Sequence, residues 1–318
     1  MEKPIVAMGM IKNSADVIES FIRGNSLWAD CFVLMNNMCT DRTIEILNSL
    51  IEEGFIIEII PDYEIAYYQA EKMNALLEYV YDKYNPSYIV PIDDDEILTV
   101  DKGEIKKEIK SLPDGNVYFV KWINYVCSEK DNLDVISVPG RMRYRFEETN
   151  LKPSEYTTKI IISGGAIRNN PNMRIVQGNH GVQDYKGSQK LEDKIFMAHY
   201  PVRSSEQLKS KALVGWTGYL SMVTNTNNMG VQWKTAYEIS KKGISMPVEV
   251  LKFYTKVYLN KNDENIKEKY APINLPAECM ITKYTNRNEV NATENYCNCV
   301  EELAKRYVEL ARKDLLGE

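Results

Sequence analysis

The chain has no long hydrophobic run. No stretch of its 318 residues approaches the ~20 consecutive apolar residues that a membrane-spanning helix needs. Residues 1–4 lead directly into a short strand-like run and not into the apolar segment of a signal peptide. We therefore expect a cytoplasmic protein with no transmembrane segment, and a peripheral contact with the inner face of the membrane stays open.

Cysteine is scarce and scattered. The six cysteines form neither the paired Cys-x-x-Cys motifs that hold zinc nor a regular disulfide framework. Cys297 and Cys299 are the closest pair, and the helical pattern around them sends their side chains in different directions. Free thiols in a reducing compartment are expected.

A basic surface is also missing. The chain carries 39 Lys and Arg against 45 Asp and Glu, a net charge of −6, and its pI is near 5.3. Proteins that bind nucleic acids usually carry a broad basic surface, so we expect no nucleic-acid partner. A nucleotide bound through a metal ion is compatible with this charge.

What the chain does have is an alternation of strand and helix signals over its first 125 residues. Apolar runs at 4–10, 31–35, 55–60 and 88–92 are separated by helical patterns. This predicts an α/β fold with a Rossmann-like, mostly parallel sheet flanked by helices. From about residue 205 the pattern is mainly helical and ends in an amphipathic segment at 299–316. We expect one α/β domain at 1–225 and a helical C-terminal extension at 226–318 packed on it.

One predicted strand ends in four consecutive acids. Residues 88–92 lead into Asp93, Asp94, Asp95 and Glu96, and burying unpaired carboxylates is costly. Mg²⁺ and Mn²⁺ take oxygen ligands and often bridge to phosphates, and parallel sheets bind ligands outside the carboxyl ends of their strands. The run therefore indicates a metal–phosphate site, with a solvated acidic turn as the alternative.

Five short segments carry further motifs in a fixed order. They are IKNSAD at 11–16, NNMCTDRT at 36–43, QAEKMNALL at 69–77, IDDDE at 92–96 and HYPVRS at 199–204 with Lys211. Over about residues 4–220 this order resembles the family 2-type glycosyltransferases, in the bacterial branch with an Asp-x-Asp-Glu signature. The resemblance implies a GT-A fold that uses a nucleotide-activated sugar, with a UDP-sugar favoured, and Mn²⁺ or Mg²⁺.

The same resemblance implies a reaction and its partners. The sugar moves from a nucleotide diphosphate donor to a hydroxyl acceptor, with inversion, in the synthesis of a cell-surface glycan. Polysaccharide, lipid-linked and protein acceptors stay open, and so does a homodimer. The alternatives are a nucleotide-sugar-binding module without catalysis and a nucleotidyltransferase. The second usually has a glycine-rich phosphate loop after its first strand, which residues 9–12 lack.

Roles for single residues also follow from the resemblance. Donor binding is implied for Asn13, Asn36, Lys72, Asp93, Asp94 and Lys211, and metal binding for Asp93, Asp95 and His199. Asn36 stands where the family has an Asp, so the expected contact with the nucleoside loses its charge. Without the resemblance, Asn13 and Asn36 are typical cap or turn residues, and Lys72 is typical of a solvated helix face.

An inverting transfer needs a base for the acceptor hydroxyl. The resemblance implies an acid well past the signature, which favours Asp184, with Asp193 as the alternative and Glu192 as a further competitor. His180 lies in a predicted turn, where it either orients the acceptor or completes the metal shell.

Two other groups of residues have both functional and structural interpretations. Trp122 and Tyr125 suit either a sugar site or the core. Arg141, Arg143 and Arg145 put three cations on one face of a predicted extended segment. That face either is an ordinary exposed strand or binds a phosphorylated or lipid-linked acceptor.

Overall fold

The computed structural model describes residues 2–146, 157–222, 231–257 and 267–316. The strands are β1 (Ile5–Ile11), β2 (Cys31–Asn37), β3 (Ile57–Asp62), β4 (Tyr88–Pro91), β5 (Glu96–Val100), β6 (Val117–Val126), β7 (Tyr144–Phe146), β8 (Thr158–Ser163), β9 (Arg174–Ile175), β10 (Val182–Gln183), β11 (Gln189–His199) and β12 (Glu268–Tyr270). The helices are α1 (Ile18–Asn25), α2 (Thr43–Glu53), α3 (Gln69–Tyr84), α4 (Ile105–Ser111), α5 (Val138–Arg141), α6 (Gly164–Asn169), α7 (Ser205–Leu220), α8 (Val231–Lys241), α9 (Val248–Lys256) and α10 (Ala292–Leu316).

The sheet has a parallel half and a mixed half. Strands β3, β2, β1 and β4 lie side by side and parallel, as expected for strands joined through helices. Beyond β4, β8 is antiparallel to both β4 and β6, while β11 pairs parallel with β6 and antiparallel with β5. The α/β class, with helices flanking the sheet and a C-terminal helix, is confirmed.

Gly9 allows the chain after β4 to cross close to β1. The Ile92 backbone N–H donates to the Met8 carbonyl at 2.9 Å, and a Cβ atom on Gly9 would lie 2.1 Å from the Ile92 carbonyl oxygen. A larger residue at position 9 therefore cannot coexist with this crossing. The crossing places residues 93–95 at the carboxyl end of β1.

Some predicted boundaries move in the structure. The third strand spans Ile57–Asp62 instead of 55–60, and α10 begins at Ala292, before the predicted amphipathic segment at 299. The predicted arginine face is wrong. Arg141 ends the short helix α5, Arg143 lies in an exposed connection and Arg145 belongs to β7. Because Arg141 is helical and Arg143 lies in the connection between α5 and β7, the three cations do not share one extended face.

The described C-terminal elements pack on the sheet domain. Leu251 and Tyr254 of α9 lie in one hydrophobic cluster with Val17, Tyr125 and Tyr200, and α10 packs against α7. Tyr125 stacks on Tyr200 with ring centroids 4.8 Å apart, so Tyr125 belongs to the core. In the described ranges, no helix combines the length and apolarity required to cross a bilayer.

Candidate active site

A cavity of about 560 Å³ opens at the carboxyl edge of the parallel strands. Its walls follow the order of the strands in the sheet, from β2 and β1 through β4 to β8, β6 and β11. The lining side chains used below are Lys12, Asn13, Ser14, Asp93, Asp94, Asp95, Trp122, Lys159, His180, His199, Arg203 and Lys211. Val290 and Cys299 of the C-terminal region complete the wall.

Asp95 lies in the middle of this edge and is 3% exposed. Its Oδ2 atom lies 2.7 Å from Lys211 Nζ and 3.5 Å from Arg203 Nη1, and its Oδ1 atom lies 3.5 Å from His199 Nε2. Burial raises the pKa of this carboxyl, but the positive charges of Lys211 and Arg203 hold it well below its usual value of 3.8. Asp95 is therefore an ionised carboxylate in a cationic surrounding.

His199 is held so that its Nε2 atom faces Asp95. Its Nδ1 atom lies 2.6 Å from Asn124 Oδ1, which fixes the tautomer with the proton on Nδ1. Burial lowers the pKa of His199 to about 4, so the imidazole is neutral at pH 7. Trp122 stacks on its ring with centroids 4.1 Å apart.

The Asp95–His199 pair fits a divalent cation that also takes ligands from a substrate. A neutral imidazole nitrogen and a carboxylate oxygen face each other at 3.5 Å. Both atoms present lone pairs, so a cation bound by both would be favourable. In the part of the chain that the structure describes, no three His, Cys, Asp or Glu side chains form a group that could hold a metal ion. The remaining ligands would come from a bound substrate and from water, as is usual for Mg²⁺.

Asp93 belongs to a different cluster from Asp95. Lys159 Nζ lies 2.7 Å from Asp93 Oδ2 and 2.8 Å from Glu96 Oε1, and Asn179 donates to Asp93 Oδ1 at 3.1 Å. Trp122 Nε1 donates to the buried Glu96 at 2.6 Å. Burial opposes the charge on Lys159, but Asp93 and Glu96 raise the pKa of its ammonium. The predicted metal role of Asp93 therefore competes with an ammonium that already occupies its carboxylate.

Asp94 lies toward β1. Its carboxylate accepts a short hydrogen bond from Ser14 Oγ and another from the Lys12 backbone N–H at 3.2 Å. Burial, followed by the charge of Asp95, raises the pKa of Asp94 to about 7. The neighbouring Lys12 ammonium donates to the carbonyls of Asn37 and Met38.

Of the other residues predicted to bind the donor, some line the cavity and others do not. Asn13 lines the cavity, but its side chain is hydrogen-bonded to Thr40. Asn36 Oδ1 accepts the Cys39 N–H at 2.8 Å and closes a turn; the next residue, Asn37, is the one that lines the cavity. Lys72 is buried and does not lie on a solvated helix face.

Lys72 makes its polar contacts away from the cavity wall. Its Nζ atom lies 2.7 Å from Asp62 Oδ2 and donates to the Glu64 carbonyl at 2.7 Å. The structure therefore supports a role for Lys72 in holding the chain after β3 against α3.

The predicted bases need correction. Asp184 and Asp193 are exposed and Glu192 is half-buried, and none of the three lines the cavity. Asp193 pairs instead with Lys121 at 3.6 Å, because β11 begins at Gln189 and carries residues 192 and 193 along its outer portion. The distance along the sequence from the acidic run does not show where in β11 these residues lie.

Three residues of the site were missed by the sequence analysis. Lys159 interrupts an apolar strand, Arg203 belongs to the HYPVRS motif but was given no role of its own, and Asn124 lies directly opposite His199 in the β6–β11 pairing. A single lysine in a buried run is a usable signal, because an unpaired ammonium is costly to bury. Arg203 is 5% exposed and makes a bidentate ion pair with Asp16 at 2.7 and 2.9 Å.

No protein-family model matches the chain, and no curated protein sequence matches it. Solved structures show distant similarity. TarS 1–349 from S. aureus is 12% identical at a TM-score of 0.42, over 77% of this chain and 73% of that one. The mannosyltransferase PcManGT from Pyrobaculum calidifontis, crystallised with GDP-Man and Mn²⁺, is 10% identical at a TM-score of 0.39, over 96% and 87%.

A third solved structure, GalNAc-T7 with UDP, GalNAc and Mn²⁺, is 11% identical at a TM-score of 0.38, over 80% of this chain and 54% of that one. At these values no activity or ligand is transferred to this chain. The functional argument therefore rests on the residues of the cavity.

Proposed function

We propose that the protein is a metal-dependent glycosyltransferase of GT-A type. It transfers a sugar from a nucleoside diphosphate donor, with UDP favoured, to a hydroxyl group, and it inverts the anomeric configuration. The acceptor is a cell-surface glycan, in polysaccharide, lipid-linked or protein-bound form.

The observation that carries this proposal is the grouping around Asp95. A buried, ionised carboxylate faces a neutral imidazole at 3.5 Å, and Lys211 and Arg203 lie at its other oxygen. A leaving diphosphate needs its developing charge neutralised, and preorganised cations beside it provide this. Lys211, 29% exposed at its side chain, is able to exchange its contact with Asp95 for one with a phosphate.

A bound Mn²⁺ or Mg²⁺ would be held by Asp95 and His199 and would act as a Lewis acid on the diphosphate. Lys12, Ser14 and Asn37 at the β1–β2 end of the cavity would bind the nucleoside. Trp122 and His180 at the β6–β8 end would face the sugar and the acceptor.

Turnover of nucleotide sugars tests the proposal. Purified protein with Mn²⁺ is incubated with UDP-glucose, UDP-N-acetylglucosamine, UDP-galactose and GDP-mannose, and release of the nucleoside diphosphate is measured. We expect release from at least one donor, and a loss of at least about 100-fold in Asp95→Asn. Asp134→Asn removes the same charge from a side chain that is 81% exposed, and this control should retain activity.

Other outcomes would contradict the proposal. Full turnover by Asp95→Asn would remove Asp95 from the reaction. Saturable binding of a nucleotide sugar without any turnover would favour the non-catalytic binding module. Formation of a nucleotide sugar from a sugar phosphate and a nucleoside triphosphate would favour a nucleotidyltransferase.

A further inference from the structure

The proposed reaction needs a base, and the acidic side chains that line the cavity already form ion pairs or hydrogen bonds with other residues. This inference rests on the proposed function. Asp95 is bound to Lys211, Asp93 to Lys159, and Asp94 to Ser14 at the β1 side. The acids expected to serve as base, Asp184 and Asp193, lie outside the cavity wall. The base must therefore be sought among the other titratable groups that line the cavity.

His180 lines the cavity with one ring nitrogen already fixed. Its Nδ1 atom lies 2.8 Å from the Thr158 backbone carbonyl oxygen. A carbonyl oxygen only accepts, so Nδ1 carries the proton and Nε2 keeps its lone pair. Among residues 2–146, 157–222, 231–257 and 267–316, none supplies a hydrogen-bond partner to Nε2. The imidazole is thus held in the tautomer that accepts a proton at Nε2.

The surrounding chain is shaped to hold this ring. A Cβ atom on Gly178 would lie 2.6 Å from His180 Cδ2 and 2.7 Å from Nε2, so only glycine leaves room for the imidazole in this position. Gly178 also has a positive φ of 77°, which glycine adopts without strain. On another side, Trp122 packs edge-on at a centroid distance of 5.2 Å.

His180 lies at the end of the cavity that suits an acceptor. Lys12 and Ser14 mark one end at β1, Asp95 follows β4, and Thr158 begins β8 beyond it. A nucleotide sugar laid along this edge, with its diphosphate at Asp95, would have its sugar on the β8 side. The hydroxyl that attacks the sugar would approach from the same side.

We propose that His180 is the general base of the transfer, acting through Nε2. The acceptor hydroxyl gives its proton to Nε2 while its oxygen forms a bond to the anomeric carbon. The bond from that carbon to the diphosphate oxygen breaks, and the nucleoside diphosphate leaves with the electron pair. The imidazolium then releases its proton to solvent.

The charges that face His180 come from two elements. Burial is the main cause that lowers the pKa of His180 from its usual 6.5; Lys159 of β8 lowers it further, and Asp93, after β4, raises it. The imidazole is therefore unprotonated at neutral pH. Activity should be lost as the pH falls through a pKa below 6.5, because protonation removes the lone pair at Nε2.

His180→Asn separates catalysis from structure. Asparagine can still donate to the Thr158 carbonyl, but it has no group that takes a proton. With the nucleotide sugar that the wild-type protein turns over fastest, and water as acceptor, we expect kcat to fall about 10²–10⁴-fold. UDP affinity in the presence of Mn²⁺ and the urea unfolding midpoint should be unchanged. His180→Ala should regain part of its activity in imidazole buffer.

Three results would overturn the assignment. The first is a His180→Asn protein whose kcat equals that of the wild type. The second is a His180→Asn protein whose activity still falls at acidic pH as the wild-type activity does. The third is a loss of turnover in Asp184→Asn while His180→Asn stays active. A wild-type protein that releases no nucleoside diphosphate from any donor would overturn the proposed function and this assignment with it. An active wild type with an active His180→Asn overturns this assignment alone.

Discussion

Asn124 and His199 are direct neighbours in the pairing of β6 with β11, and this contact decides which imidazole nitrogen reaches Asp95. Asn124 Oδ1 holds Nδ1 at 2.6 Å, and Trp122, two residues before Asn124, stacks on the same ring. Residues that orient a metal ligand contribute to metal affinity although they never contact the ion.

Asn124→Ala should therefore weaken Mn²⁺ binding, measured in the presence of UDP, by about 10–100-fold. The matched variant Asn124→Asp keeps an oxygen acceptor for Nδ1–H and should retain more of the affinity. The measurement is the Mn²⁺ dissociation constant by titration calorimetry. Equal affinities for wild type and Asn124→Ala would show that the ring orientation does not depend on this contact.

At the scale of single residues, the motifs predicted site residues correctly where the chemistry of the site allows few residue types. Asp95, His199 and Lys211 were predicted from their motifs, and the structure brings them together around one carboxylate. Lys159 was missed because its role depends on Asp93 and Glu96, which lie on a distant part of the chain. Asp184 was favoured by its distance along the sequence, which does not determine whether a side chain lies on the cavity wall.

Helix α1 is joined to the C-terminal region through one buried carboxylate. Glu19 is fully buried, and it accepts the consecutive backbone N–H groups of Lys283, Tyr284 and Thr285 at 2.7–2.9 Å. Arg23 neutralises it at 2.9 Å. Because three backbone donors and an arginine converge on it, this buried carboxylate has no equivalent replacement among the other side chains.

Glu19→Gln replaces one carboxylate oxygen by an amide NH₂ group. The backbone N–H groups of Tyr284 and Thr285, which donate to the same oxygen of Glu19, would then face another donor. We expect it to lower the free energy of unfolding by about 3–5 kcal/mol, as for other buried pairs that lose a partner. Urea unfolding measures the loss. Glu302→Gln, in an exposed ion pair with Lys305, is the matched control and should cost less than about 1 kcal/mol. Similar losses in both variants would contradict the assignment to Glu19.

Elements were predicted best where their own residues carry the pattern. β1, β2 and β4 are apolar runs, and their buried residues follow from that composition. The start of α10 at Ala292 was missed because its buried positions depend on contact with α7, for example Asn295 with Ser210 at 3.0 Å. The arginine face was wrong because one helical turn at α5 interrupts an otherwise extended-looking segment.

For the whole molecule, the alternation of strands and helices was enough to predict the α/β class and the edge that carries the site. It was not enough to predict the mixed half of the sheet. Whether β11 pairs with β5, β6 or both depends on contacts between distant segments, which local periodicity does not encode. That pairing is what brings His199 next to Asp95.

Ligand binding should stabilise the whole molecule only when metal and nucleotide are present together. Asp95 and His199 offer two donors, and the described residues form no group of three that could hold the ion. We expect Mn²⁺ alone to leave the melting temperature unchanged, and Mn²⁺ with UDP to raise it by mass action. Asp95→Asn should abolish the joint shift. A shift with Mn²⁺ alone, retained in Asp95→Asn, would place the ion at another site.

The cavity wall has a consequence for biosynthesis. Its first lining residues lie near Met10 and its last at Val290 and Cys299, so the site draws on segments made at very different times. A ribosome releases the strands of the parallel sheet first, and they can begin to fold before the rest of the chain follows. A chain synthesised only as far as α9 has neither the wall residue Cys299 of α10 nor the backbone donors for Glu19. The cavity wall is therefore complete only after Cys299 has been synthesised and has left the ribosome.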